Sequence, residues 1–118
     1  MTSALVQAAI DGDLDRVREL VSEGANVNEA DQYGWLPIHR AAANNRGQVI
    51  SYLLASGSAI EARGTDAWTP LHLACVSASH QAVTALVAGG ADVNAVAKKN
   101  NTPLHLSSEH QGLVEAGA

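Results

Sequence analysis

The sequence predicts an all-α repeat solenoid, in which short two-helix units stack side by side, about three and a half of them in 118 residues. Three observations lead there. The tetrapeptides Leu36-Pro37-Ile38-His39, Thr69-Pro70-Leu71-His72 and Thr102-Pro103-Leu104-His105 recur at intervals of 33 residues. The segments Gly24-Ala25-Asn26-Val27-Asn28, Gly57-Ser58-Ala59-Ile60-Glu61 and Gly90-Ala91-Asp92-Val93-Asn94 keep the same period. The composition is 47 % apolar yet only 3 % aromatic, with no Phe and with twenty-two Ala. One large core leans on Phe, Leu and Ile, whereas closely packed short helices need small residues.

Each element of the unit has a local reason. Proline in the first turn of a helix forfeits no hydrogen bond, so Pro37, Pro70 and Pro103 mark helix starts. Thr69 and Thr102 precede them as N-cap residues, while Leu36 puts no hydroxyl at that place and loses the cap. Two apolar stretches follow, such as Leu71 to Val76 and Ala82 to Val87, each long enough for about two turns. The pairs Ala41-Ala42 and Ala74-Cys75 let first helices stack closely, and Leu53-Leu54 and Leu86-Val87 supply the apolar stripe of the second helices. Gly24, Gly57 and Gly90 suit the left-handed position that ends a second helix. In the first unit Asp13 sits just before a helix, where a carboxylate favours the helix dipole.

These motifs resemble the ankyrin repeat family, whose unit carries a TPLH helix start, a Gly-containing break, a second apolar helix and a GADVN-like ending. The resemblance covers nearly the whole chain. It implies a single ankyrin repeat domain over residues 1–118, with units at about 1–30, 31–63 and 64–96 and an incomplete one at 97–118. It also implies β-hairpin tips between units. The first unit lacks the tetrapeptide but keeps Ala8-Ala9, Gly12, Leu14, Val17 and Leu20-Val21. The family's Gly-His break is replaced by Asn45-Arg46 and by Ala78-Ser79, so a longer or looser break is expected there. Gly117 falls inside the expected last helix and no Leu-Leu pair follows, which leaves that end of the stack half covered.

Several chemistries are disfavoured. A formal charge of −5 and a pI near 5.4 argue against nucleic-acid or anionic-membrane surfaces. No apolar run approaches the roughly twenty residues of a membrane span, and no secretory leader follows Met1. One cysteine, Cys75, excludes an internal disulfide and points to a reducing compartment. An intracellular location, cytoplasmic and also nuclear, is therefore expected. Cys75 aligns with an apolar Ala and reads as a buried small hydrophobe. The repeated His39, His72 and His105 lie on successive helices roughly 8–10 Å apart, too far to share an ion whose ligands sit about 2 Å away. The resemblance gives this histidine a hydrogen-bonding role within and between units. His80 and His110 are isolated and read as solvent-facing. Asp11-Gly12-Asp13-Leu14-Asp15 fails as a calcium loop, because Arg16 and Ser22 stand where Gly and Glu are needed. Asn100-Asn101-Thr102 matches a glycosylation sequon but lacks a secretory context. No nucleophile, phosphate loop or carboxylate pair stands out, so no enzyme, cofactor or metal is expected.

Function is expected where the units differ. A solenoid presents its first helices and its tips along an extended groove. The variable residues there include Tyr33, Trp35, Arg40, Asn44, Asp66, Trp68, Ser77, Lys99, Asn101 and His110, which form the expected partner-binding set. Ile10-Asp11, Ala43 and Val76 occupy the same first-helix positions. Trp35 and Trp68 each directly precede a helix-start motif, and aromatic residues are enriched in binding hot spots. The other reading is that each indole packs over the neighbouring tip as framework. Residues 1–31 hold seven acids and two bases, whereas the rest of the chain holds five of each. That excess reads either as a solvated end or as a field that steers a basic partner. The expected function is a non-catalytic protein-protein interaction module, an adaptor or scaffold. The alternative is a truncated or structural portion of a longer array that docks or self-associates through its uncapped C-terminal end.

Overall fold

The computed structural model describes residues 3–64 and 67–95, and within them the chain forms six α-helices. They are α1 (Ala4–Asp11), α2 (Leu14–Ser22), α3 (Pro37–Ala43), α4 (Gly47–Ala55), α5 (Pro70–Val76) and α6 (His80–Ala88). Each unit is an antiparallel pair, and the pairs stack in two layers: α1, α3 and α5 pack in one row, α2, α4 and α6 in the other. The first helices have 8, 7 and 7 residues and the second helices 9 each. The fourth unit, from residue 97 onward, lies outside the described residues, as do its expected open end and Gly117.

The caps follow the sequence. The Thr69 hydroxyl accepts the His72 N–H at 3.4 Å and the Asp13 carboxylate accepts the Arg16 N–H at 3.1 Å. Leu36 gives α3 no side-chain cap, as expected from its missing hydroxyl. Gly24, Gly57 and Gly90 follow the second helices at φ of 101°, 99° and 97°, the left-handed conformation expected of them. Helix α2 shows the simplest amphipathic pattern: Val17 and Leu20 are buried while Asp15, Arg16, Arg18 and Glu19 face water.

The core is a thin sheet of aliphatic side chains between the two layers. Ile38, Ala41 and Ala42 of α3 and Leu71, Ala74 and Cys75 of α5 meet Val49, Ile50, Leu53, Ala82, Val83 and Leu86 of the second helices. Cys75 is 2 % exposed, and burial pushes its thiol up to about 12, so it behaves as an apolar side chain. One buried polar atom in this layer has no partner among the described residues, the Ser58 hydroxyl. The equivalent positions in the units before and after carry Ala25 and Ala91.

Two expectations are corrected. The breaks at Asn45-Arg46 and Ala78-Ser79 are neither longer nor looser than the one at Gly12-Asp13. Asn45 and Ala78 simply adopt the left-handed conformation themselves, at φ of 60° and 53°, against 73° for Gly12. The same backbone bond closes all three breaks: Asp13 N–H to Ala8 O at 3.1 Å, Arg46 N–H to Ala41 O at 2.9 Å, and Ser79 N–H to Ala74 O at 2.8 Å. Packing of both flanking helices therefore outweighs a local cost of about 1–2 kcal/mol for a side chain in that region.

The tips, expected as β-hairpins, contain no strand among the described residues. Two backbone bonds close each tip: Asp31 N–H to Trp35 O at 2.8 Å with Gly34 N–H to Asp31 O at 3.0 Å, and Gly64 N–H to Trp68 O at 2.9 Å with Ala67 N–H to Gly64 O at 3.0 Å. In the first of these the Tyr33 and Trp35 N–H groups donate to the Asp31 carboxylate, at 2.8 and 3.0 Å, and not to a neighbouring strand.

Candidate functional site

The first helices and the tips make one continuous face, and its shape follows from the 33-residue register. Gln7, Arg40 and Leu73 form one row across α1, α3 and α5; Ile10, Ala43 and Val76 form a second; Asp11, Asn44 and Ser77 form a third. Their neighbours on the same helices, such as Ala9, Ala42 and Cys75, are buried. The second row is apolar: Ile10 and Ala43 are half-buried and Val76 is 48 % exposed. Val76 and Tyr33, the latter 62 % exposed, are the exposed large hydrophobic residues of the described chain.

Three of the expected binding residues converge at the tip before α3. The Arg40 guanidinium donates from Nε to Asp31 Oδ2 at 2.9 Å and brings Nη2 to 2.8 Å of the same oxygen. Its Cζ also lies 5.8 Å from the centre of the Tyr33 ring. The Asp31 side chain is only 3 % exposed. Burial pushes its carboxyl up, but the Trp35 N–H, the Arg40 guanidinium and the Tyr33 N–H outweigh this and hold it below its ordinary value of 3.8. Arg40 is thus neutralised within the chain and acts as a platform under Tyr33. Asp31 was not among the expected site residues. Its signal was present, since Asp at the first and Gly at the fourth position of Asp31-Gln32-Tyr33-Gly34 is a type I turn pattern.

Trp35 is half-buried and packs across the unit boundary. Its ring meets the His39 ring edge-on, with centroids 5.1 Å apart. A methyl group placed on Gly64 would fall 2.3 Å from Trp35 Cε3, so the indole fills the space that Gly64 leaves open. Trp68 is half-buried too, its ring centroid 6.2 Å from that of His72. Asn44 and Ser77 are exposed at the ends of α3 and α5, where the Asn44 amide donates to Arg40 O at 2.8 Å. Asp66, Lys99, Asn101, His105 and His110 lie outside the described residues.

The repeated histidine joins units, as the resemblance implied. His39 Nδ1 accepts the Leu36 N–H at 3.0 Å, which places the ring proton on Nε2. From there it donates to Ala62 O at 2.9 Å and Trp68 O at 3.2 Å, both beyond α4. Burial pushes His39 below its ordinary 6.5, although both carbonyls and Asp31 act in the other direction. His72 repeats the inner half of this pattern, with Nδ1 accepting the Thr69 N–H at 3.1 Å. Further cross-unit bonds tie the opposite ends: Arg46 Nε to Ile10 O at 2.9 Å, Ala82 N–H to Asn45 Oδ1 at 3.1 Å, and Ala59 N–H to Asn28 Oδ1 at 2.9 Å.

A second concavity, about 600 Å³, opens on the other side between α4 and α6, where Arg46, Gln48, Ser51, Gln81 and Thr84 line it. No motif in the sequence marked it, because its walls are brought together from separate units, Gly12 of the first included.

Compared with models of protein families, residues 5–54 match one described as ankyrin repeats in many copies, and residues 56–116 match one described as ankyrin repeats in 3 copies. Among curated proteins, the chain is 46 % identical over 54 residues to Ankyrin repeat domain-containing protein 40 of Mus musculus and of Homo sapiens, covering 45 % of this chain and 15 % of those proteins. It is 38 % identical over 56 residues to the 2-5A-dependent ribonuclease of Mus musculus, covering 47 % of this chain and 8 % of that protein. It is 34 % identical over 55 residues to Protein phosphatase 1 regulatory subunit 27 of Homo sapiens, covering 47 % of this chain and 36 % of that protein. The matched stretch is therefore a small part of each of these relatives, at most 36 %. Repeat period, two-layer stacking, histidine bridging and family matches agree, and the chain belongs to the ankyrin repeat family.

Proposed function

We propose that this chain is a non-catalytic protein-binding module that holds a partner protein along the face made by α1, α3, α5 and the tips. Ankyrin repeats are generally protein-interaction modules, and one relative is by name a regulatory subunit of a phosphatase. The observation that carries the reading is the separation of two residue sets on the first helices, their ends and the tips. The positions that repeat are buried in the stack, whereas Tyr33, Asn44, Val76 and Ser77, which differ between units, are exposed on one face. An apolar row flanked by polar residues is the usual anatomy of an interface. Trp35 contributes as a wall of this face through its exposed half, and Arg40 by holding Tyr33 in place.

The test is selection of binders from a displayed library of random peptides, followed by competition between two variants. Tyr33→Ala with Val76→Asp should abolish binding of most selected peptides, while Thr84→Arg, exposed on α6, should leave it intact. The reverse pattern would place the binding surface on the second helices and refute the reading.

A further inference from the structure

The charges of this molecule point to the chemistry of its partner. Every arginine of the described residues is engaged inside the chain: Arg16 with Glu19, Arg18 over the Tyr52 ring, Arg40 with Asp31, Arg46 with Ile10 O and Arg63 with Ala67 O. Four acids of the first unit are not matched in this way. Asp11, Asp15, Glu23 and Glu29 are exposed and pair with no base among the described residues; Asp11 accepts only the neutral Gln7 amide, at 3.1 Å. The imbalance is polarised along the stack, since residues 1–31 carry seven acids against two bases. On the binding face, Asp11 adjoins Ile10 at one end of the apolar row, and the corresponding positions farther along are the uncharged Asn44 and Ser77.

The apolar row is shaped as well. Ala43 stands between Ile10 and Val76, so the row is low at its middle and high at both ends. A large aliphatic side chain fits above Ala43, flanked by two β-branched residues.

Resting on the binding face proposed above, we infer that the partner is a peptide segment that sets a large aliphatic side chain over Ala43, between Ile10 and Val76, and carries a lysine- or arginine-rich end over Asp11 and the acidic first unit. The unpaired acids then serve two purposes. Asp11 supplies a direct ion pair at the edge of the row, and Asp15, Glu23 and Glu29 draw the basic end towards the correct pole of the groove. The second effect acts on encounter rate and orientation, and salt weakens it over a screening length of about 10 Å at 0.1 M ionic strength.

Three fluorescein-labelled 14-residue peptides with one leucine pattern test this by fluorescence anisotropy, their ends carrying three Lys, three Ser or three Glu. The Lys peptide should bind about tenfold more tightly than the Glu peptide in low salt, and the gap should narrow in 0.5 M salt. Asp11→Lys should reverse that preference, and Val76→Asp should weaken all three peptides. Both positions are exposed at the last residue of a helix, so circular dichroism should be unchanged. Equal binding of the three peptides, all weakened by Val76→Asp, overturns the inference about charge and leaves the face standing. Binding that ignores Val76→Asp and Asp11→Lys overturns the inference and the face together. No binding of the Lys peptide at millimolar concentration also overturns the inference.

Discussion

Replacing Gly64 by alanine should dislodge the Trp35 indole, and the cost should vanish when the indole is removed first. The added methyl group would sit 2.3 and 2.4 Å from Trp35 Cε3 and Cζ3, whereas carbon atoms in contact prefer about 3.5–4.0 Å. The ring must therefore move by more than 1 Å or lose its seat, and overpacking of this kind costs about 1–3 kcal/mol. Trp35→Ala alone removes a half-buried indole. A tryptophan buries roughly 150–250 Å² when enclosed, so half of that, at about 25 cal/mol per Å², is near 2.5 kcal/mol. The edge-on contact with His39 adds about 0.5–1.5 kcal/mol. In the Trp35→Ala background the added methyl group meets Gly34 O, at 3.3 Å, and a shift of a few tenths of an ångström relieves that contact. With the gain of about 0.4–1 kcal/mol from a less flexible unfolded chain set against it, the substitution should be close to neutral. The double-mutant cycle, read from urea unfolding followed by circular dichroism, should thus show a coupling of about 2–3 kcal/mol. An equal cost of Gly64→Ala in both backgrounds would refute the packing argument. The cycle also bears on function. Trp35→Ala acts on the stack and on the exposed face at once, so Tyr33 and Val76 report more cleanly on binding.

The two breaks that lack glycine should respond with opposite signs. Ala78→Gly relieves a left-handed alanine and should raise stability by about 0.5–1 kcal/mol, whereas Asn45→Gly loses the bond to the Ala82 N–H and should lower it; thermal melts of the two variants check this. Ser58→Ala removes the unpartnered buried hydroxyl and should stabilise by about 1 kcal/mol, visible as a higher urea midpoint at unchanged slope. His39, neutral and depressed below 6.5 in the fold, sets a pH dependence: the unfolded chain binds its proton more readily. Its contribution is complete above pH 6.5 and is lost as pH falls below that value, at up to about 1.4 kcal/mol per unit, levelling out under the folded pKa. Unfolding of wild type and His39→Gln at pH 7, 6 and 5 should show this slope only in the former, and identical slopes would contradict the assigned tautomer and its bonds to Ala62 and Trp68.

Much of the fold was legible because its signals are local. A proline in the first turn, Thr69 ahead of it, Gly57 behind a second helix and the Ala41-Ala42 pair each act within a few residues of themselves. The 33-residue period then assembles them into a stack with no long-range information. Reading failed where a local preference met an opposing tertiary one. Ala78 in a left-handed turn looks unfavourable by itself, yet α5 and α6 are held on both sides and the turn has no alternative. The tips went unread in detail for a related reason, since the Asp31 carboxylate takes the N–H groups that a strand would have used.

By itself the sequence determined the architecture: the unit, its helix starts and ends, the buried histidine and the face on which the variable residues fall. It also revealed the acidic first unit. Only the tertiary structure decided which of those residues are available to a partner. It seats Trp35 on Gly64, neutralises Arg40 with Asp31 beneath Tyr33, and leaves Val76 exposed at one end of the apolar row, with Asp11, bonded only to the Gln7 amide, beside Ile10 at the other. The Trp35 and Gly64 pairing spans a unit boundary, and its outcome turns on shifts of about 1 Å in how neighbouring units stack. A repeating pattern sets that stacking only on average, so the particular contacts belong to the packed molecule.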